Sequence, residues 1–254
     1  MNNVLAIIPA RFQSSRLPGK PLADIGGQPM VWHVYRRAAE AIGNDNVIVV
    51  TDSPEIVKAV QTRGGNALLS DKAADCGTTR CAHALSRIPH NADIILNLQA
   101  DEPFLEVSDI RNLAASLDSP EFQIATLARK FDPDDGFESL FSPDNPKVVF
   151  DNRMGAMYFS RSIIPYIRDV HWKEWINTSP FYIHAGTYAF RRQTLLSIPS
   201  LPHSHAEMAE KLEQLRWLAA GFRIKIVLTE SKLLGVDTAD ELEQARKRYA
   251  ETFR

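Results

Sequence analysis

Short apolar runs recur through the first hundred residues, and between them the apolar spacing changes to that of a helix. Val4 to Pro9 is such a run. NVIVVTD (Asn46 to Asp52), NALLSD (Asn66 to Asp71) and ADIILNLQADEP (Ala92 to Pro103) follow it. Side chains alternate across a strand, so a run that is apolar at every position implies burial on both faces. MVWHVYRRAAEAI (Met30 to Ile42) is apolar at Met30, Val34, Ala38 and Ala41, which is helical spacing. SPEIVKAVQTRGG predicts a helix with Ser53 as N-cap, Pro54 at its first position and Gly64 as C-cap. GTTRCAHALSRI (Gly77 to Ile88) reads as a further helix start. Strands alternating with helices of this length predict βαβ units, hence an α/β fold with a mainly parallel central sheet flanked by helices.

In open sheets of this kind, ligands bind at the carboxyl ends of the strands. Those ends carry the polar residues here: the Arg11–Lys20 loop, Asp52, the Gly77–Arg80 turn and Gln99–Glu102. One crevice is therefore expected. The pattern changes after about residue 120. QIATLARKF, KVVFDNRMGAMYFSR (with a turn at Asp151 to Arg153) and FYIHAGTYAFRR predict longer strands. Ala206 to Ala220 predicts a helix, FRIKIVLTE a strand, and Thr238 to about Thr252 a final helix capped by Asp237 or Thr238. Ile164 to Pro180, with Trp172 and Trp175, is the most irregular stretch.

The formal net charge of -2 argues against a general nucleic-acid binder but leaves room for a local basic pocket. No apolar run approaches the roughly 18 residues of a membrane span, and no basic region precedes the first apolar stretch, so a cytoplasmic protein is expected. Cys76 and Cys81 have no CxxC partner and read as free thiols.

Three cations, Arg11, Arg16 and Lys20, sit in a Gly/Pro-punctuated loop after the first strand. Such a loop exposes backbone N–H groups, and cations beside it add charge-assisted bonds to phosphate. It matches neither common Gly-rich phosphate motif, so a solvated surface loop is the competing reading. Asp101 and Asp237 lie at two distant strand ends and could together hold Mg²⁺, which takes a few carboxylates plus phosphate oxygens. Asp237 could equally serve as a helix cap. His203 and His205 lack the further ligands of a zinc site and read as a solvated loop. In LEQLRWL, Leu212, Leu215 and Ala219 are expected on the core, leaving Glu213 and Gln214 for polar work. His184, Gly186 and Tyr188 share a strand face, either a sugar-binding surface or a half-buried sheet.

Taken together, IIPARFQSSRLPGKPL, VTDS, CGTTR, NLQADEP, KVVFD, YFSRSIIP, HAGTYAFR, KLEQLR and GVDTADEL occur in the order found in the 3-deoxy-manno-octulosonate cytidylyltransferases, also called CMP-Kdo synthetases. The resemblance spans nearly the whole chain. It implies a nucleotide-diphospho-sugar transferase (Rossmann-like) domain over 1–254, with an inserted β-rich region at about 150–200 for dimerisation and sugar binding. It implies CTP and the sugar acid Kdo as substrates, CMP-Kdo and pyrophosphate as products, Mg²⁺ as cofactor, and a homodimer serving lipopolysaccharide or capsule synthesis. On the same ground Pro9, Ala10, Arg11, Ser15, Lys20, Gly77, Thr78, Arg80 and Gln99 would form the nucleotide side. Arg161, His184, Tyr188, Glu213 and Gln214, with Gln99, would form the sugar side. Arg11, Lys20, Asp101 and Asp237 would carry catalysis, the two acids as metal ligands. Thr79 stands where the family carries a carboxylate, and Ala100 where it carries glycine. A related sugar acid (an amino-substituted or sialic-acid-type analogue) and a catalytically silent nucleotide-binding module are the alternatives.

Overall fold

The computed structural model describes residues 3–14, 16–70, 76–232 and 234–252. In chain order the strands are β1 (Val4–Ala10), β2 (Asp24–Ile25), β3 (Gln28–Pro29), β4 (Val47–Thr51), β5 (Ala67–Leu69), β6 (Ile94–Asn97), β7 (Ile124–Lys130), β8 (Lys147–Phe150), β9 (Ala156–Ser160), β10 (Tyr182–Arg191) and β11 (Ile224–Thr229). The helices are α1 (Met30–Ile42), α2 (Pro54–Gln61), α3 (Gly77–Leu85), α4 (Val107–Ala115), α5 (Phe137–Phe141), α6 (Trp175–Thr178), α7 (Arg192–Ser197), α8 (His205–Glu210), α9 (Gln214–Ala219) and α10 (Ala239–Thr252).

The main sheet runs β11-β7-β10-β6-β1-β4-β5. β1 pairs in parallel with β4 and β6, β4 with β5, and β7 with β11; β10 is antiparallel to both its neighbours. The period-2 alternation of β1 divides the core into two layers. Ala6 and Ile8 pack with Val31, Val34, Tyr35 and Leu113 of α1 and α4. Leu5 and Ile7 face Cys81 and Leu85 of α3, Phe190 and Trp217. Because the chain leaves β1 for β4 on one side and returns to β6 on the other, the strand order reverses between β1 and β6. That reversal leaves a crevice at their carboxyl ends.

The expected elements hold through β6, with one adjustment. α2 has Ser53 as N-cap, its hydroxyl accepting from the Ile56 N–H, and Pro54 in its first turn, but it closes at Thr62 rather than Gly64. Larger differences come later. The expected helix from Ala206 to Ala220 is two helices, because Lys211 adopts a left-handed conformation (φ 54°). Ala219 is exposed, and Trp217 is buried instead, edge-on to Tyr188 and Phe190. The expected insertion at about 150–200 is drawn differently too: β10 and α7 belong to the central layers. The segment with its own small core, built on Phe131, Leu140, Trp175 and Phe181, precedes β10. β8 and β9 form a hairpin that joins the sheet through β10. Cys76 and Cys81 are free thiols.

Candidate active site

The loop after β1 is closed by a bond from the Gly19 N–H to the Phe12 carbonyl, at 3.2 Å. Gly19 sits at φ 68°, a left-handed conformation that a Cβ disfavours, and the chain turns there so that Lys20 opens a short 3-10 turn. Asp52, just past β4, braces this loop. Its carboxylate accepts from the Phe12 N–H (3.1 Å) and from Arg80 (3.0 Å), an arginine only 5% exposed.

The resulting cleft holds about 380 Å³. Pro9, Ala10, Arg11 and Lys20 line it from β1 and its loop. Gly77 and Arg80 line it from α3, Gln99, Ala100 and Asp101 from the end of β6, and Asp237 from the turn before α10. Ser15 lies outside the described residues. The chain also has a larger groove, about 1090 Å³, walled by aromatic residues such as Phe137, Phe141, Trp172 and Trp175. The smaller cleft is the one that gathers cations and carboxylates at the strand ends, so the chemistry belongs there.

At its centre Lys20 bridges the two acids. Its ammonium donates to Asp101 and, at 2.8 Å, to Asp237, while Arg16 donates to the other oxygen of Asp237 at 2.8 Å. Burial pulls the Lys20 pKa down, but the two carboxylates outweigh it and leave it raised. The converse holds for Asp237, where Lys20 and Arg16 overcome burial and lower the pKa. Asp237 does not cap α10. Thr238 does: its hydroxyl accepts from the Glu241 N–H, and the Glu241 carboxylate accepts from the N–H groups of Asp237 and Thr238. The neighbouring threonine thus takes the cap and leaves the Asp237 carboxylate to Lys20 and Arg16. Glu102 lies beneath this cluster with its Oε2 buried and without a hydrogen-bond partner among the described residues. Burial, and then the charges of Asp101 and Asp237, push its pKa up to about 8.

The fit to Mg²⁺ follows from the donor set. Two carboxylates from distant segments converge on one cation, here the lysine ammonium. A pair of carboxylates of this kind suits an ion that completes its shell with water and substrate phosphate.

Behind the cleft lies a second, buried cluster. The Thr78 hydroxyl donates to Glu213 at 2.8 Å and accepts from Asn97 at 3.1 Å, and Gln99 donates to Asn97 at 3.4 Å. Burial raises the Glu213 pKa, with the Cys76 thiol and Thr78 holding it back. Tyr188, stacked at an angle on His184 (5.5 Å between centroids), is pushed well above the usual phenol range by burial, then by Glu213. Burial drives the His184 pKa down to about 3, so its imidazole is neutral. Thr126 spends its hydroxyl hydrogen on backbone carbonyls of β10, so His184 Nε2 donates to it at 3.0 Å. That leaves Nδ1 to accept from Gln214 at 3.5 Å. The bulge between Ala185 and Tyr188 adds two residues to β10, so the alternation that puts His184 and Tyr188 on one face is preserved.

Thr78, His184, Tyr188, Glu213 and Gln214 are therefore brought together, while Arg161 is not brought into the cleft. Its guanidinium is taken up by the carbonyls of Glu210, Pro143 and Lys211, which fixes the turn between α8 and α9. Thr79 contacts the Cys76 thiol, whose sulfur caps α3, and Ala100 is 7% exposed among core side chains. Sequence reading missed Asn97 and the cleft-lining Cys76. Asn97 did leave a trace, as a lone polar residue inside the apolar run IILNL.

The sequence profile of the family described as Cytidylyltransferase matches residues 5–226. The 3-deoxy-manno-octulosonate cytidylyltransferase of Parabacteroides distasonis is 45% identical, covering 96% of this chain and 97% of its own length. The enzyme of that name from Escherichia coli is 40% identical, covering 99% and 98%. Among solved structures, a CMP:2-keto-3-deoxy-manno-octonic acid synthetase complexed with CTP superposes with a TM-score of 0.89 at 39% identity, over 98% of this chain and 99% of that one. With the cleft at the strand reversal, the paired acids and the basic loop in place, the chain belongs to the 3-deoxy-manno-octulosonate cytidylyltransferase family.

Proposed function

We propose that the chain couples CTP to 3-deoxy-manno-octulosonate, giving the CMP-sugar and pyrophosphate. The observation that carries this is the meeting of Lys20 with Asp101 and Asp237 at the cleft centre, in a chain 45% identical to an enzyme named for that reaction. The anomeric hydroxyl attacks the α-phosphorus in line, the P–O bond to the β-phosphate breaks, and pyrophosphate leaves. Arg11 and Lys20 hold the triphosphate, and Arg80, braced by Asp52, fixes the nucleotide end of α3. The neutral His184 with Gln214, Tyr188 and Glu213 orients the sugar acid through hydrogen bonds. Mg²⁺ held by Asp101 and Asp237 would supply charge neutralisation at the phosphates. Lys20 has two roles in this reading: it balances the acids in the free protein, and it turns to phosphate when nucleotide arrives.

A homodimer fits the aromatic residues exposed before β10, among them Tyr166 (74%) and Trp172 (44%), together with Met157 (66%). Sedimentation would read it directly. In this reading the enzyme is a cytoplasmic supplier of activated sugar for lipopolysaccharide or capsule; no helix among the described residues is long and apolar enough to cross a membrane. The test is pyrophosphate release from CTP with a panel of sugar acids and Mg²⁺. Turnover with Kdo supports the reading, turnover only with an amino-substituted or sialic-acid-type sugar changes the substrate, and CTP binding without any turnover sinks the enzymatic reading.

A further inference from the structure

Asn97 ends β6 with its side chain fully buried, between Gln99 in the cleft and Thr78 on α3. The order of donors along this chain is forced. A carboxylate only accepts, so Thr78 gives its single hydroxyl hydrogen to Glu213. The Thr78 oxygen must then accept, and the only group of a carboxamide that can supply that bond is the NH₂ of Asn97. This turns the Asn97 carbonyl oxygen toward Gln99, which answers with its own NH₂. The Gln99 carbonyl oxygen is what remains for the cleft.

We infer that Asn97 is a positioning residue. It holds the Gln99 carboxamide with its oxygen facing the cleft, so that this position accepts a hydrogen bond from a hydroxyl of the bound reactant and disfavours a group that can only accept. The inference rests on the proposed cytidylyl transfer for its ligand, not for its geometry. It also explains a polar residue at the end of an otherwise apolar strand. A buried carboxamide is costly unless every group on it is partnered, and here both ends are used.

The test is a double-mutant cycle between Asn97→Leu, which keeps the shape and removes both bonds, and Gln99→Met. Pyrophosphate release is followed at varied CTP and varied sugar acid. Asn97→Leu and Gln99→Met should each lower kcat/KM for the sugar acid by about tenfold or more, and the double variant should be no worse than the poorer single within about twofold. Asn97→Asp, which still offers Gln99 an oxygen, should recover part of the loss. Losses that multiply in the double variant, or an Asn97→Leu enzyme as active as the parent, overturn the inference. A second readout does not depend on turnover. The Gln99 side-chain NH₂ should be protected from solvent exchange by NMR in the parent and lose that protection in Asn97→Leu; an unprotected NH₂ in the parent also overturns it. A parent protein that turns over no sugar acid but shows the protected NH₂ refutes the proposed activity and leaves the relay standing.

Discussion

The two halves of the site solve the same problem in opposite ways. The cleft half is charged. Arg16, Lys20, Asp101 and Asp237 neutralise one another through ion pairs, and the outer members are open to water, with the Arg16 side chain 58% exposed and that of Asp237 42%. The inner half, Thr78, His184, Tyr188 and Gln214 with the half-buried Glu213, is largely closed to water, and burial drives its His and Tyr pKa values toward the uncharged forms. Ion pairs with an exposed side can exchange partners at little cost, because water and incoming charge replace what is lost. Buried hydrogen bonds cannot, since an abandoned partner stays unpaired. The cleft half can therefore be rewired by incoming charge, as the proposed triphosphate and metal would require, and the inner half can keep its shape while that happens.

The contrast can be broken most severely at the acids. Asp101→Asn and Asp237→Asn should each lower turnover on the order of a thousandfold while melting close to the parent, since their charges face an exchangeable cation and not the core. Retained activity in both would remove the metal assignment. Lys20→Met should cost turnover as well, yet it should raise the affinity for Mn²⁺ without nucleotide by roughly tenfold, because the resident cation has gone. Electron paramagnetic resonance of free Mn²⁺ reads this, and unchanged or weaker binding would show that Lys20 and the metal do not compete.

The inner half predicts a pH effect with a definite sign. The unfolded chain takes up a proton on His184 near pH 6.5 and the folded chain only near 3. Between those values the unfolded state is favoured as pH falls, so each pH unit below about 6.5 costs roughly 1.4 kcal/mol of stability through this residue. Urea melts at pH 6 and pH 5 should show the loss, and His184→Gln should flatten it. An identical slope in the variant would mean the imidazole is charged in the fold. The smallest effect is at Thr238→Ala, which should cost about 1 kcal/mol of stability as a lost N-cap, with Asp237 still competent in turnover. If this variant lost activity as severely as Asp237→Asn, cap and ligand would not be separable.

Much of this was legible in the sequence because short-range rules governed it. The βαβ alternation placed β1, β4, β5 and β6, though not the short β2–β3 hairpin, and polar residues at strand ends located the cleft. What stayed hidden depended on contacts between distant segments. Nothing local around Glu210 announces that the Arg161 guanidinium donates to its carbonyl, yet that contact accompanies the break at Lys211 that separates α8 from α9. Asp237 and Thr238 are both favoured caps by residue type, and nothing local announces that Asp237 is engaged by the distant Lys20 and Arg16. Glu102 was expected in the crevice with Gln99 and Asp101, but its Oε2 is buried, which the sequence of the strand end does not show.

The β2–β3 turn has a consequence at the far end of the chain. Gly26 adopts φ 60°, and a Cβ there would stand 2.0 Å from the ring of Tyr249, which also packs edge-on to His33. α10 is thus keyed into the turn near its last residues, while its first residues lie beside Asp237. A protein engineer should treat this helix as part of the active site. A fusion or trim close to Tyr249 would reach the cleft through the helix axis, and a bulky residue at position 26 would do the same from the other side of the lock.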